Sequence, residues 1–60
     1  MFKLIGFYLD INQKVYVDSV LSHCENILDR ESQSFKDNLY CEKYGINSFP
    51  AFILLKNNVL

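Results

Sequence analysis

No basic residue in this 60-residue chain has a basic neighbour, and the formal net charge is only −1. The chain therefore carries neither the positive stripe that holds nucleic acid nor a polybasic membrane patch, and no direct nucleic-acid ligand is expected. No apolar stretch approaches the roughly 20 residues of a membrane span, and the start Met1-Phe2-Lys3 lacks the longer apolar core and cleavage site of a signal peptide. The expected location is the cytoplasm, or an assembly built there. Glycine occurs only twice, and neither a Gly-rich phosphate loop nor a serine elbow is present. Cysteine also occurs twice, at positions 24 and 41, and in an intracellular setting both thiols are expected to be reduced. His23 stands beside Cys24, but adjacent helical residues point about 100° apart. No second Cys-His pair exists to complete a tetrahedral zinc site. Neither metal nor cofactor is expected, and His23 reads as a solvated helix residue.

Half of the residues are apolar and 15% are aromatic, which argues for a packed core or an interface. Residues 1–60 suffice for one small domain. A chain of this length buries only about 60% of its unfolded surface, so marginal stability and help from a partner are expected. The bias toward Asn, Lys, Ile, Tyr and Phe suits an AT-rich genome, such as that of a virus or a low-GC bacterium.

Phe2 to Leu9 is an apolar run bounded by Asp10, short enough for a buried, central strand. Asp10 or Asn12 can cap a following helix. Val17, Val20, Leu21, Cys24, Ile27 and Leu28 then recur at three- and four-residue spacing, which places them on one helix face with Cys24 in the core. A hairpin of Tyr8–Ile11 with Val15–Val17 competes, but the spacing favours helix. Ser34 followed by Asp37 resembles a capping box for a second helix that runs to about Tyr44 and carries Leu39, Tyr40, Cys41 and Lys43. Cys41 reads as a packing or part-exposed thiol. Asp10, Asp29, Glu31 and Asp37 fall at element ends, a pattern of capping rather than paired acid-base catalysis.

The most informative stretch is Tyr44 to Asn58. Gly45 suits the left-handed position just past a helix. Ala51 to Leu55 is an unbroken apolar run, the pattern of a strand covered on both faces, with Pro50 at its first residue where a missing N–H is tolerated. Asn57-Asn58 reads as a tight hairpin turn. Tyr44-Gly45-Ile46, a polar pair, Phe49-Pro50, the apolar run and Lys56-Asn57 resemble the cis-proline segment of the thioredoxin superfamily.

That resemblance implies an α/β, thioredoxin-like fold in truncated or minimal form: strand, helix, an uncertain strand, helix, strand, with a cis Phe49–Pro50 bond. Only Asn26 to Glu31 is free to supply the uncertain strand, at the cost of shortening the first helix, and both readings stay open. The family's final strand and C-terminal helix have no counterpart before Val59-Leu60, so the sequence is a fragment or partner chains complete the sheet. Redox-active members place Cys-x-x-Cys at the start of the first helix, where the thiolate is stabilised. Here that window is Ile11-Asn12-Gln13-Lys14 or Asn12-Gln13-Lys14-Val15, without cysteine. The exchange reaction then has no nucleophile, and no other catalytic constellation stands in for it.

The expected function is a redox-inactive, protein-binding or structural module, a small subunit of a larger assembly such as a viral particle. By resemblance, Ser48, Phe49 and Pro50, with Asn12 and Gln13 across a groove, would hold an extended peptide of a protein partner. The alternative is an atypical thiol-disulfide oxidoreductase that uses Cys24 or Cys41 as a lone thiol.

Overall fold

A computed structural model describes residues 1–57 of the chain. In order they form β1 (Phe2–Tyr8), α1 (Ile11–Ser22), β2 (Asp29–Ser34), α2 (Leu39–Tyr44) and β3 (Ala51–Lys56). The strands make one mixed sheet in the order β2-β1-β3, with β1 parallel to β2 and antiparallel to β3. The protein is thus a small α/β domain with a three-stranded mixed sheet and two helices. Among the described residues no helix is long and apolar enough to cross a membrane.

Successive side chains of a strand point to opposite faces, and β1 uses both. Ile5 and Phe7 are fully buried on one face, where they meet Cys41 of α2 together with Ile53 and Leu55 of β3. Burying such side chains is worth about 2 kcal/mol each, so this cluster is the principal core. Tyr40, Tyr44, Ile46, Phe49 and Ala51 pack around it. On the other face Gly6 lies under α1. A Cβ on Gly6 would overlap Val17 Cγ1 and sit 2.9 Å from Phe52 Cε1, so only glycine lets α1 seat Val17 against the sheet.

Helix α1 starts where Asp10 accepts a hydrogen bond from the Gln13 N–H at 3.0 Å, so Asp10 and not Asn12 is the cap. The competing hairpin is absent, since Ile11 to Val17 is helical throughout. The helix stops at Ser22, six residues before the apolar spacing ends at Leu28. The reason is tertiary. A strand parallel to β1 must begin at the same end as β1, and Lys3 pairs with Asp29, so the chain has to leave the helix and return along it. Arg30 of β2 then donates to the Leu21 carbonyl at 3.0 Å, which also accepts from the Cys24 N–H, and His23 Nδ1 lies 2.7 Å from the Ser19 carbonyl, so the carbonyls of the last turn are well supplied with partners.

Several expectations change accordingly. Cys24 is only half-buried beyond the helix, and Leu28 is 91% exposed instead of lying on a packed face. The open choice over Asn26–Glu31 falls to strand, with the strand running Asp29–Ser34. Ser34 is its last residue and no helix cap. Asn38 caps α2 instead, its Oδ1 accepting from the N–H groups of Tyr40 and Cys41 at 2.9 and 3.3 Å. Asp37 turns the chain with φ 54°. Gly45 ends α2 in the left-handed conformation at φ 66°. Pro50 precedes β3 rather than opening it, and the Phe49–Pro50 peptide bond is cis. The apolar run of β3 is covered on one face only, with Ile53 and Leu55 buried and Phe52 and Leu54 exposed. Asn57 has φ 55°, and the Asn58 half of the expected turn lies outside the described residues.

Gly6→Ala should destabilise the domain by about 2 kcal/mol, the usual cost of forcing a methyl into a packed contact. Urea unfolding followed by circular dichroism measures it, and Val17→Ala in the same chain should recover part of the loss. An unchanged midpoint for Gly6→Ala would show that α1 does not press on the sheet at this point.

Candidate functional site

The strand register gathers the expected binding residues at one end of the sheet. Phe7 pairs with Ala51, so the chain leaves β1 at Tyr8 beside the point where Pro50 delivers it into β3. Two residues after Tyr8 the Asp10 cap begins α1, which puts Asn12 and Gln13 at the same end. Strand β2 also finishes here, and the Phe35 N–H donates to the Tyr8 carbonyl at 2.9 Å.

The five residues are not equivalent. Asn12, Ser48 and Pro50 are exposed. Gln13 is half-buried and committed to its own loop: its Oε1 accepts from the Leu9 N–H at 2.8 Å, while its N–H donates to Asp10. Together these bonds tie down two of the backbone donors around the start of α1. Phe49 is also half-buried, packed on the core cluster, with its ring 5.6 Å from that of Phe35. Its first role is structural, so truncating it would perturb the core as well as any surface it lines.

Sequence reasoning missed the apolar surroundings of this end. Leu9, Ile11 and Phe35 are 43%, 68% and 41% exposed there. Phe35 was hidden by its neighbours, since a single aromatic within Ser34-Phe35-Lys36-Asp37 has no periodic signal. Asn38 also went unnoticed. Besides capping α2 it donates through Nδ2 to Gln33 Oε1 at 2.8 Å and to the Ser34 carbonyl at 2.9 Å, which locks the loop carrying Phe35 to the end of β2. The only available signal was Asn as a preferred cap type.

One ion pair stands near this end. Lys14 reaches Asp18 at 2.8 Å across one turn of α1, and this hydrogen bond raises the lysine pKa. The same bond, helped by one from Ser32, lowers that of Asp18. The Lys14 ammonium also lies 5.9 Å from the centre of the Tyr8 ring. On the far side of β1, Lys3 pairs with Glu31 at 3.3 Å.

Neither thiol reaches the α1 N-terminus. Cys24 lies past the opposite end of this helix, about 18 Å away along its axis at 1.5 Å per residue. Its Sγ donates to the Val20 carbonyl at 3.5 Å. Cys41 is buried in the core, and burial pushes its thiol pKa up, away from the reactive thiolate. Cys24 loses its expected core place because α1 ends before it, while for Cys41 the packing alternative is the one found, since α2 turns it onto Ile5 and Phe7. Among the described residues no three His, Cys, Asp or Glu side chains are grouped to hold a metal ion. An apolar concavity between Met1, Phe2, Asn26, Ile27, Leu28 and Asp29 opens at the other end of the sheet, away from all five residues.

Comparison with models of known families, with curated proteins and with solved structures finds no match to this chain.

Maleimide labelling at neutral pH should modify Cys24 at least about tenfold faster than Cys41, with the difference vanishing in urea, because the buried thiol reacts only on opening. Equal native rates would mean that Cys41 is not in the core. Since the folded pKa of Cys41 is raised, its contribution to stability is present below the ordinary thiol value of 9.0 and is lost as pH climbs past it. Urea midpoints should therefore decline above that pH, and Cys41→Ala should flatten the decline.

Proposed function

We propose that this chain is a redox-inactive, thioredoxin-like module that binds an extended segment of a protein partner at the end of the sheet where α1 begins and β3 enters. The observation behind this reading is the convergence of two loops. The Leu9–Asp10 turn with the exposed Asn12, and the Ser48–Pro50 segment with its exposed Ser48 and Pro50, meet the same sheet end, among the exposed apolar side chains of Leu9, Ile11 and Phe35. Backbone groups in such a segment can pair with a peptide while apolar neighbours receive its side chains. The element order β1-α1-β2-α2-β3 supports the thioredoxin-like reading, which expects strand, helix, an uncertain strand, helix and strand. Clustered apolar surface on so small a chain fits a minor subunit of a larger assembly.

A thiol oxidoreductase working through a lone cysteine has less behind it. Such an enzyme needs a stabilised, accessible thiolate, whereas Cys41 is buried with a raised pKa and Cys24 sits beyond the helix C-terminus, where the dipole disfavours an anion.

An array of extended peptides should yield binders whose amide shift changes, followed by NMR, map to residues 9–13, 35 and 47–49. Replacing the exposed Asn12 and Ser48 together by Arg should weaken that binding by about tenfold or more, roughly 1.4 kcal/mol, with no change in the urea midpoint. Absence of any binder, or binding indifferent to the double substitution, would overturn the proposal. Reduction of insulin disulfides by the unmodified chain would replace it with the redox reading.

A further inference from the structure

One side chain ties the connection from β2 to α2 at both of its ends. Asn38 Oδ1 accepts from the Tyr40 and Cys41 N–H groups, and Nδ2 donates to the Ser34 carbonyl at 2.9 Å and to Gln33 Oε1 at 2.8 Å. A backbone N–H can only donate and a carbonyl can only accept, so these partners fix which way the amide points. Gln33 is anchored in turn, its Nε2 donating to Glu31 Oε1, and Glu31 pairs with Lys3 at 3.3 Å. Glu31 and Gln33 stand opposite Ile5 and Phe7, so this polar row runs along the core face of β2 and ends at Asn38.

What this lock holds in place is Phe35. Its N–H donates to the Tyr8 carbonyl at 2.9 Å, and its own carbonyl accepts from the Asn38 N–H at 3.3 Å. The ring lies 5.6 Å from that of Phe49, tilted by 56°, an attractive aromatic arrangement. Phe35 follows the end of β2 and Phe49 precedes β3, so the ring pair bridges the end of β1, which lies between these strands. Among the described residues no backbone–backbone hydrogen bond holds Asn47, Ser48 or Phe49. Packing sets this segment instead, through the Phe49 ring on the core and on Phe35.

We infer that Asn38 and Phe35 are positioning residues for the segment that presents Ser48 and Phe49 to a bound peptide, an inference that rests on the peptide-binding reading. Asn38 fixes the Phe35 loop, the Phe35 ring sets the Phe49 ring, and that ring holds the backbone of Ser48 and Phe49 in one arrangement. A segment in place before binding loses little conformational freedom when a peptide pairs with it, which favours affinity. Loosening the lock returns that freedom to the unbound chain, and each binding event must then remove it.

The two halves of the Asn38 amide are separable. Its oxygen caps α2, and its nitrogen locks the loop. Asn38→Asp keeps a capping oxygen, since Asp caps as well as Asn, but it replaces the donor with an acceptor that faces Gln33 Oε1 and the Ser34 carbonyl. Gln33→Met removes one of the same bonds from the other side and leaves the cap untouched.

The test titrates the tightest-binding array peptide into the complete unsubstituted chain and into each variant, alongside NMR relaxation of the unbound chains. In both variants α2 should stay helical while the Ser48 and Phe49 amides become more mobile before any peptide is added, and the dissociation constant should rise at least about threefold. Loss of stability alone would move neither readout, because both report on the folded chain. Ser48 and Phe49 amides that relax as in the unsubstituted chain would overturn the inference, since any change in affinity would then bypass the segment. So would an unchanged dissociation constant with the segment loosened. If Asn38→Asp fails to fold, Gln33→Met decides on the same two readouts. Failure of the peptide-binding reading looks different: no peptide then binds the unsubstituted chain, and the inference falls with it.

Discussion

The alternation of side chains along β1 is the constraint on which the rest depends. Its odd positions, Ile5 and Phe7, are fully buried beneath Cys41 and against Ile53 and Leu55. Its even position, Gly6, leaves the space that Val17 enters from the opposite face. A shift of one residue would put Gly6 under α2 and a large apolar side chain where α1 must approach, so both layers hold a single register. With two short helices and three strands, no other element could absorb such a slip.

Around that strand the chain closes its local accounts with side chains at the element ends. Asp10, Asn38 and Gly45 respectively start α1, start α2 and end α2, and Arg30 reaches from a neighbouring strand to the last turn of α1. No buried side-chain nitrogen or oxygen among the described residues lacks a partner. A core this small depends on such satisfaction, because each orphaned polar group would cost about 1–3 kcal/mol against a few of net stability.

Part of what the fold leaves uncovered is apolar. Leu9, Ile11 and Phe35 surround the loops carrying Asn12 and Ser48, while Phe52 and Leu54 line the outer edge of β3. The opposite edge, β2, is polar at every position. Helix N-termini make reactive thiolates only where a cysteine stands at them, and α1 has none.

Local chemistry made much of this legible in the sequence. The β1 run, the Asp10 cap, the Gly45 stop and the strand at Ala51 each announce themselves through a residue type whose backbone or burial preference is strong by itself. The segment from Cys24 to Asp37 was not legible, because its structure is imposed from outside. Cys24, Ile27 and Leu28 continue the helical spacing, yet the helix ends at Ser22 so that the chain can return to lie parallel to β1. β2 has no apolar pattern to read, since it packs its backbone against β1 and leaves its side chains in polar or half-buried surroundings. The resemblance could name Phe49 and Gln13 as candidates for binding but could not tell that each is already engaged inside the fold. Elements set by their own residues were determined by the sequence alone. Which face each one buries was decided only when the sheet brought distant residues together.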